Sequence, residues 1–245
     1  MSNHKLGLVS VSFRNYAPAQ ILAAMKETGL CYIEWGSDVH VPPEKAEEIA
    51  LLQKSYGITC SSYGTYFRLG ITPMAELESY IKAAKILGTN IVRLWCGDKN
   101  SEEYTEKEKE ELFLQCRTAA DIAKQNGVVL CMECHNKTYT NRKEGAYELM
   151  QAVNSEAFRM YWQPNQHRTE EENMAYAKAL APYTIHIHVF NWKGKEKYPL
   201  GQATKIWKAY LSCFAEDRTL LLEFMPDGKI ETLEAEAATL REIAI

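Results

Sequence analysis

The sequence predicts an α/β fold, a closed (β/α)8 TIM barrel built as a single domain over residues 1–245. Three observations predict it. Apolar stretches of strand length recur along the chain, helix-period stretches separate them, and about 250 residues suits eight such repeats closing on themselves. In chain order the strands are KLGLVSVSF (5–13), LCYIEW (30–35), GITCSSY (57–63), TNIVRLW (89–95), GVVLCME (127–133), FRMYWQ (158–163), TIHIHVF (184–190) and TLLLEF (219–224). The clearest helices are PAQILAAMKETG (18–29), MAELESYIKAAKILG (74–88) and KEKEELFLQCRTAADIAKQNG (107–127). Each ends in a glycine suited to a helix C-terminal cap. An open doubly wound sheet is the alternative, but its glycine-rich loop is missing: the first strand runs into SFRNYAP.

Composition narrows the class of function. The chain is 46% hydrophobic and 24% charged, with a net charge of -4, so no surface dedicated to nucleic acid or membrane is expected. The N-terminus, MSNHKLGLVS, lacks the basic flank and apolar core of a signal peptide, and no apolar run has bilayer-spanning length. The seven cysteines are odd in number and scattered, which suits reduced thiols in a cytoplasmic protein better than a disulfide framework.

In a closed parallel barrel, function gathers at the C-terminal ends of the strands. Five of the six histidines and four of the five tryptophans fall at or just beyond such ends. Glu133 and Glu223 each close an apolar run. A buried carboxylate needs a cation, a metal or hydrogen-bond donors, so both are candidate site residues; salt bridges, for example to Arg93, are the plainer explanation. Strand parity separates Glu133 from its neighbours. Val129, Cys131 and Glu133 share one face and Cys134 takes the other, so the two cysteines cannot chelate one ion. His186 and His188 share a face, stacked along their strand. Trp35, Trp95, Trp162 and Trp192 are expected to form an apolar wall against a ligand or to cap the barrel mouth.

Taken in order, GLCYIEWGSDVH, GTNIVRLWCG, VVLCMECHN, YWQPN, IHIHVFNW and LLLEF resemble the xylose isomerase-like TIM-barrel superfamily over essentially the whole chain. That superfamily contains sugar and sugar-phosphate isomerases and epimerases, and apurinic-site endonucleases. The resemblance implies proton transfer beside a carbonyl, through an enediolate, on a small sugar or sugar phosphate. It also implies a divalent metal (Mn, Mg, Co or Zn) as Lewis acid. By position, its ligands fall on Glu133, Gln163, His188 and Glu223, and the base and acid on Glu133 and Glu223. The family usually carries an aspartate where this chain has Gln163; the ligand charge becomes -2 instead of -3, and weaker metal binding is expected. The family's substrate-binding histidine maps to Gln166, and its substrate-binding arginine falls near Lys193. His135, Arg93 and the four tryptophans complete the expected substrate contacts. The residues leave isomerase against epimerase open. The alternatives are a non-catalytic or metal-poor sugar-binding barrel of the same family, favoured by Gln163, and an endonuclease-like phosphodiesterase, disfavoured by the acidic charge and the missing aspartate. No nucleic-acid or membrane partner is expected; a homo-oligomer is compatible with the sequence.

Overall fold

The computed structural model describes residues 3–245. The barrel strands are β1 (Lys5–Val9), β2 (Tyr32–Gly36), β3 (Thr59–Leu69), β4 (Ile91–Cys96), β5 (Val129–Glu133), β6 (Phe158–Trp162), β7 (Thr184–Val189) and β8 (Thr219–Leu222). All eight are parallel, and β8 pairs with both β7 and β1, which closes the cylinder. The helices α1 (Pro18–Glu27), α2 (Ala46–Tyr56), α3 (Leu77–Ile86), α4 (Glu106–Asn126), α5 (Lys143–Val153), α6 (Glu170–Leu180), α7 (Thr204–Leu211) and α8 (Leu233–Ile243) alternate with them. The alternation read from the sequence is thus the observed one.

Local chemistry explains where elements start and stop. α4 begins at Thr105, whose hydroxyl accepts from the Glu108 N–H while the Glu108 carboxylate accepts from the Thr105 N–H. It ends at Gly127, in the left-handed conformation with φ 68°. The first strand stops earlier than the apolar pattern, at Val9, and residues Ser10–Phe13 wind into a 3-10 turn. β3 runs later than the pattern, to Leu69, with a slip in its pairing to β4 between Gly64 and Arg68. That irregularity carries Tyr66 to the barrel mouth.

Side-chain alternation sorts the strands into two packed layers. Val9, Ile91, Cys131, Tyr161 and Leu221 fill the barrel interior. Leu130, Met132 and Cys134 join the larger cluster between sheet and helices. Cys131 and Cys134 therefore face opposite ways, as parity requires, and all seven cysteines are free thiols. No helix among the described residues is long and apolar enough to cross a membrane.

The same alternation corrects two expectations. Trp35 and Trp162 are wholly buried in the outer layer and do not line the mouth. Glu34 and Gln163 occupy the inward positions, so their neighbours must point outward. Trp35 donates its indole N–H to Gln53 at 2.8 Å. Trp162 meets Trp207, Tyr210 and Phe214 edge-on or tilted, at centroid distances of 6.0, 5.3 and 5.6 Å. These two tryptophans are structural. Replacing Trp162 with alanine is expected to cost about 3–5 kcal/mol of stability, measurable by equilibrium urea denaturation; a loss below about 1 kcal/mol would contradict its place in the packed layer.

Candidate active site

The site forms where β2, β4, β5, β7 and the residues just beyond β6 and β8 deliver polar side chains to the C-terminal mouth. Glu133 ends β5, Gln163 follows β6, His188 lies on β7, and Glu223 follows β8. All four are buried. One ligand atom from each of Glu133, His188 and Glu223 lies within 4.8 Å of the others. His188 Nδ1 is the hub. It sits 2.8 Å from Gln163 Oε1, 3.5 Å from Glu133 Oε1 and 3.4 Å from Glu223 Oε2. Gln163 donates its amide N–H to the Cys134 carbonyl at 3.0 Å, which turns its oxygen toward His188.

A second layer holds these groups. His188 Nε2 donates to Glu34 Oε2 at 3.2 Å. Glu34 Oε2 also accepts from Ser62 at 3.1 Å, and its Oε1 accepts from Arg93 Nε at 2.8 Å. Arg93 then donates from Nη1 to Glu133 Oε2 at 2.6 Å, and the Trp95 indole N–H donates to the same oxygen. The salt bridge to Arg93 that the sequence allowed therefore exists for Glu133. Glu223 has no such bridge to Arg93: its Oε2 is buried, accepts no hydrogen bond and faces the His188 imidazole at 3.4 Å.

The protonation states follow from this wiring. Burial is the largest influence on Glu133 and raises its pKa, but Arg93 and then His188 overcome it and hold the carboxyl well below the usual range. Glu34 is likewise opposed by burial, yet Arg93 and His188 bring it to about 2. Glu223 goes the other way: burial, assisted by Glu133, lifts it to about 7 despite His188. Burial disfavours the charged imidazole of His188, but Glu223 and Glu34 raise it to about 10. His188 then donates from both nitrogens, as an imidazolium at the centre of three carboxylates.

The donor set fits a divalent cation. Two carboxylates, an imidazole and an amide oxygen converge, and Glu223 Oε2 is buried without a hydrogen bond, which leaves a lone pair open to a cation.

Around this centre lies a cavity of about 110 Å³ lined by Arg14, Tyr66, Trp95, His135, Gln166, Phe190, Trp192 and Phe224 among others. Trp95 stacks on His135 at 4.8 Å and 22°, and the Arg68 guanidinium covers the indole at 4.3 Å. His135 Nδ1 meets its neighbour's carbonyl, Asn136 O, at 2.6 Å. Trp192 starts a short hairpin in which Trp192–Lys193 pairs with Glu196–Lys197. Its ring packs edge-on against Phe224 at 5.1 Å. Phe224 itself has a left-handed φ of 55° and is tied down by its N–H donating to Ser12 Oγ at 3.0 Å.

With this geometry, the comparisons with known proteins become informative. Residues 22–243 match the family described as Xylose isomerase-like TIM barrel, and the chain belongs to that family. No curated protein matches the sequence. Among solved structures, the chain resembles the probable 3-DHS dehydratase AsbF of petrobactin synthesis from Bacillus anthracis at 18% identity and a TM-score of 0.77, over 97% of this chain and 98% of that one. The IOLI protein, solved with a bound zinc atom, matches at 16% identity and a TM-score of 0.75, over 98% of each chain. A D-psicose 3-epimerase from Clostridium cellulolyticum H10, solved with D-tagatose, matches at 14% identity and a TM-score of 0.67, over 97% of each chain. At these identities the likeness is one of fold.

The structure thus brings Glu133, Gln163, Glu223, Arg93, Trp95, His135, Gln166 and Trp192 to one cavity, with the buried His188 in contact with Gln163. Lys193 is not among them: it is exposed on the hairpin and borders a neighbouring cavity of about 250 Å³. Arg93 reaches the cavity, but its Nε and Nη1 are committed to glutamates. Sequence reasoning gave no role to Glu34, inside the second strand, or to Arg14, Phe190 and Phe224. The inward parity of Glu34 opposite Trp35 was the signal available for it.

A cation bound here would have to displace a proton from His188 Nδ1 and, below about pH 7, from Glu223. Affinity for Mn²⁺ is therefore expected to rise with pH between about 6 and 8, by up to tenfold per pH unit for each proton released, and to fall as pH drops. Titration calorimetry in buffers of different ionisation heat measures the release; a pH-independent affinity without proton release would remove these residues from the ligand set.

Proposed function

We propose that the chain is a metal-dependent isomerase that interconverts an aldose and a ketose, as free sugar or sugar phosphate, with Glu223 carrying the proton. The observation behind this reading is the inequality of the two glutamates. Glu133 Oε2 accepts hydrogen bonds from Arg93 and Trp95, whereas Glu223 Oε2 accepts none and faces only the His188 imidazole, at 3.4 Å. Glu133, Gln163, His188 and Glu223 would hold a divalent cation, which would supply Lewis-acid polarisation of a carbonyl.

A carboxylate with an open lone pair can take the proton from the carbon beside a carbonyl and return it to the former carbonyl carbon, while the hydroxyl proton passes from one of the two neighbouring oxygens to the other. One such group suffices for the carbon-to-carbon transfer of aldose–ketose exchange. Epimerisation needs a second donor on the opposite face of the carbon, and Glu133 is too heavily engaged to be one. The acid–base pair implied by the family resemblance is in this proposal reduced to Glu223, with Glu133 as anchored ligand. His135 borders the cavity beside Trp95 and suits a substrate hydroxyl. Trp95, Phe190, Trp192 and Phe224 give apolar walls for sugar C–H faces and keep water from the reacting carbon.

Incubation of the Mn²⁺-loaded protein with a panel of aldoses, ketoses and their phosphates in D₂O tests this. Deuterium is expected to enter at the carbon beside the carbonyl, detected by NMR, with aldose–ketose conversion. Glu223→Gln should slow exchange by about 10²- to 10⁴-fold. Exchange at the parent rate in Glu223→Gln removes the proton-carrying role, and an absence of exchange throughout the panel favours the sugar-binding barrel.

A further inference from the structure

We propose that Glu34 and Arg93 form a positioning pair that aims two of the ligands, His188 and Glu133, and that Gly64 is the residue that makes room for the pair. The inference rests on the metal-dependent reading above and concerns how its ligand atoms are presented.

His188 has two nitrogens that could face a cation. Glu34 Oε2 takes the Nε2–H, which leaves Nδ1 toward Gln163, Glu133 and Glu223. A ligating imidazole whose other nitrogen donates to a carboxylate is locked in one tautomer and one ring orientation. Glu133 has two oxygens, and Arg93 with Trp95 takes Oε2, which leaves Oε1 toward His188. The same guanidinium holds Glu34 through Nε at 2.8 Å. One ion pair, from β2 and β4, thus dictates which atoms of residues on β7 and β5 point inward.

The pair is wholly buried, at 0% exposure for Glu34 and 4% for Arg93, and it needs space. Gly64 on β3 supplies it. A Cβ there would stand 2.4 Å from Glu34 Oε1 and 2.7 Å from Arg93 Nη2, closer than real contacts allow. Gly201 makes no such demand: its Cβ would meet nothing nearer than Thr239 Oγ1 at 3.6 Å.

Two measurements test the pair. The first needs no variant. In ¹⁵N-histidine-labelled protein loaded with Zn²⁺, the His188 ring is expected to carry its proton on Nε2 and the cation on Nδ1, read from the nitrogen shifts. A proton on Nδ1 overturns the proposal. The second is Co²⁺ affinity, followed by the visible absorption of the bound ion. Glu34→Gln keeps the shape but can present an amide N–H to Nε2. It and Gly64→Ala should each lose about 10- to 100-fold in affinity and change the Co²⁺ spectrum. Gly201→Ala should match the parent. Folded variants at 34 and 64 that keep the parent's affinity and spectrum overturn the pair while leaving the isomerase reading intact. A parent that binds no Co²⁺ overturns both.

Discussion

Three buried carboxylates share one end of the barrel, and their mutual repulsion is the constraint from which the rest of the site follows. Two like charges about 4 Å apart repel by about 4 kcal/mol even at an effective dielectric constant of 20, a large share of a domain's stability. The protein answers with Arg93 between Glu34 and Glu133, and with a charged His188 among all three. With Glu34 matched by Arg93, the charge left is that of Glu133 and Glu223, which one divalent ion would neutralise. In that light the amide at Gln163 suits an electroneutral centre: an additional acid there would leave the loaded cavity negative.

Rigidity around this charge cluster comes from the loop after β5. Cys134 donates its N–H to Tyr161 O at 3.1 Å, Thr138 Oγ1 donates to His135 O at 2.6 Å, and Thr140 Oγ1 donates to Glu133 O. Lys137 sits in the left-handed region, with φ 57°. Its N–H is held by Asn100 Oδ1 at 2.9 Å and its carbonyl by Arg68 at 3.1 Å. Backbone in that region is tolerated where its surroundings over-determine it, and here they hold His135 against Trp95.

The fold was legible in the sequence because apolar runs, helix periods and terminal glycines all report local physics. Glu133 was legible for the same reason, as an acid closing an apolar run on the inward face. Trp35 and Trp162 misled because their residue type and position at strand ends suggested the mouth. Their parity said otherwise, since each adjoins an inward polar residue. The Glu34–Arg93 pair lay beyond sequence reasoning: its members are 59 positions apart, and only the closing of the barrel sets them face to face. The inequality of Glu133 and Glu223 was hidden for the same reason, because it depends on donors from β4 that reach one glutamate and not the other.

Phe224 carries a different kind of consequence. A bulky side chain on left-handed backbone is a conformational penalty of about 1–3 kcal/mol that glycine would escape. The chain nevertheless keeps an aromatic ring there, beside Glu223 and against Trp192. Selection for thermostability alone would be drawn to glycine at this position, and the winner would trade a water-excluding edge of the cavity for a relaxed main chain.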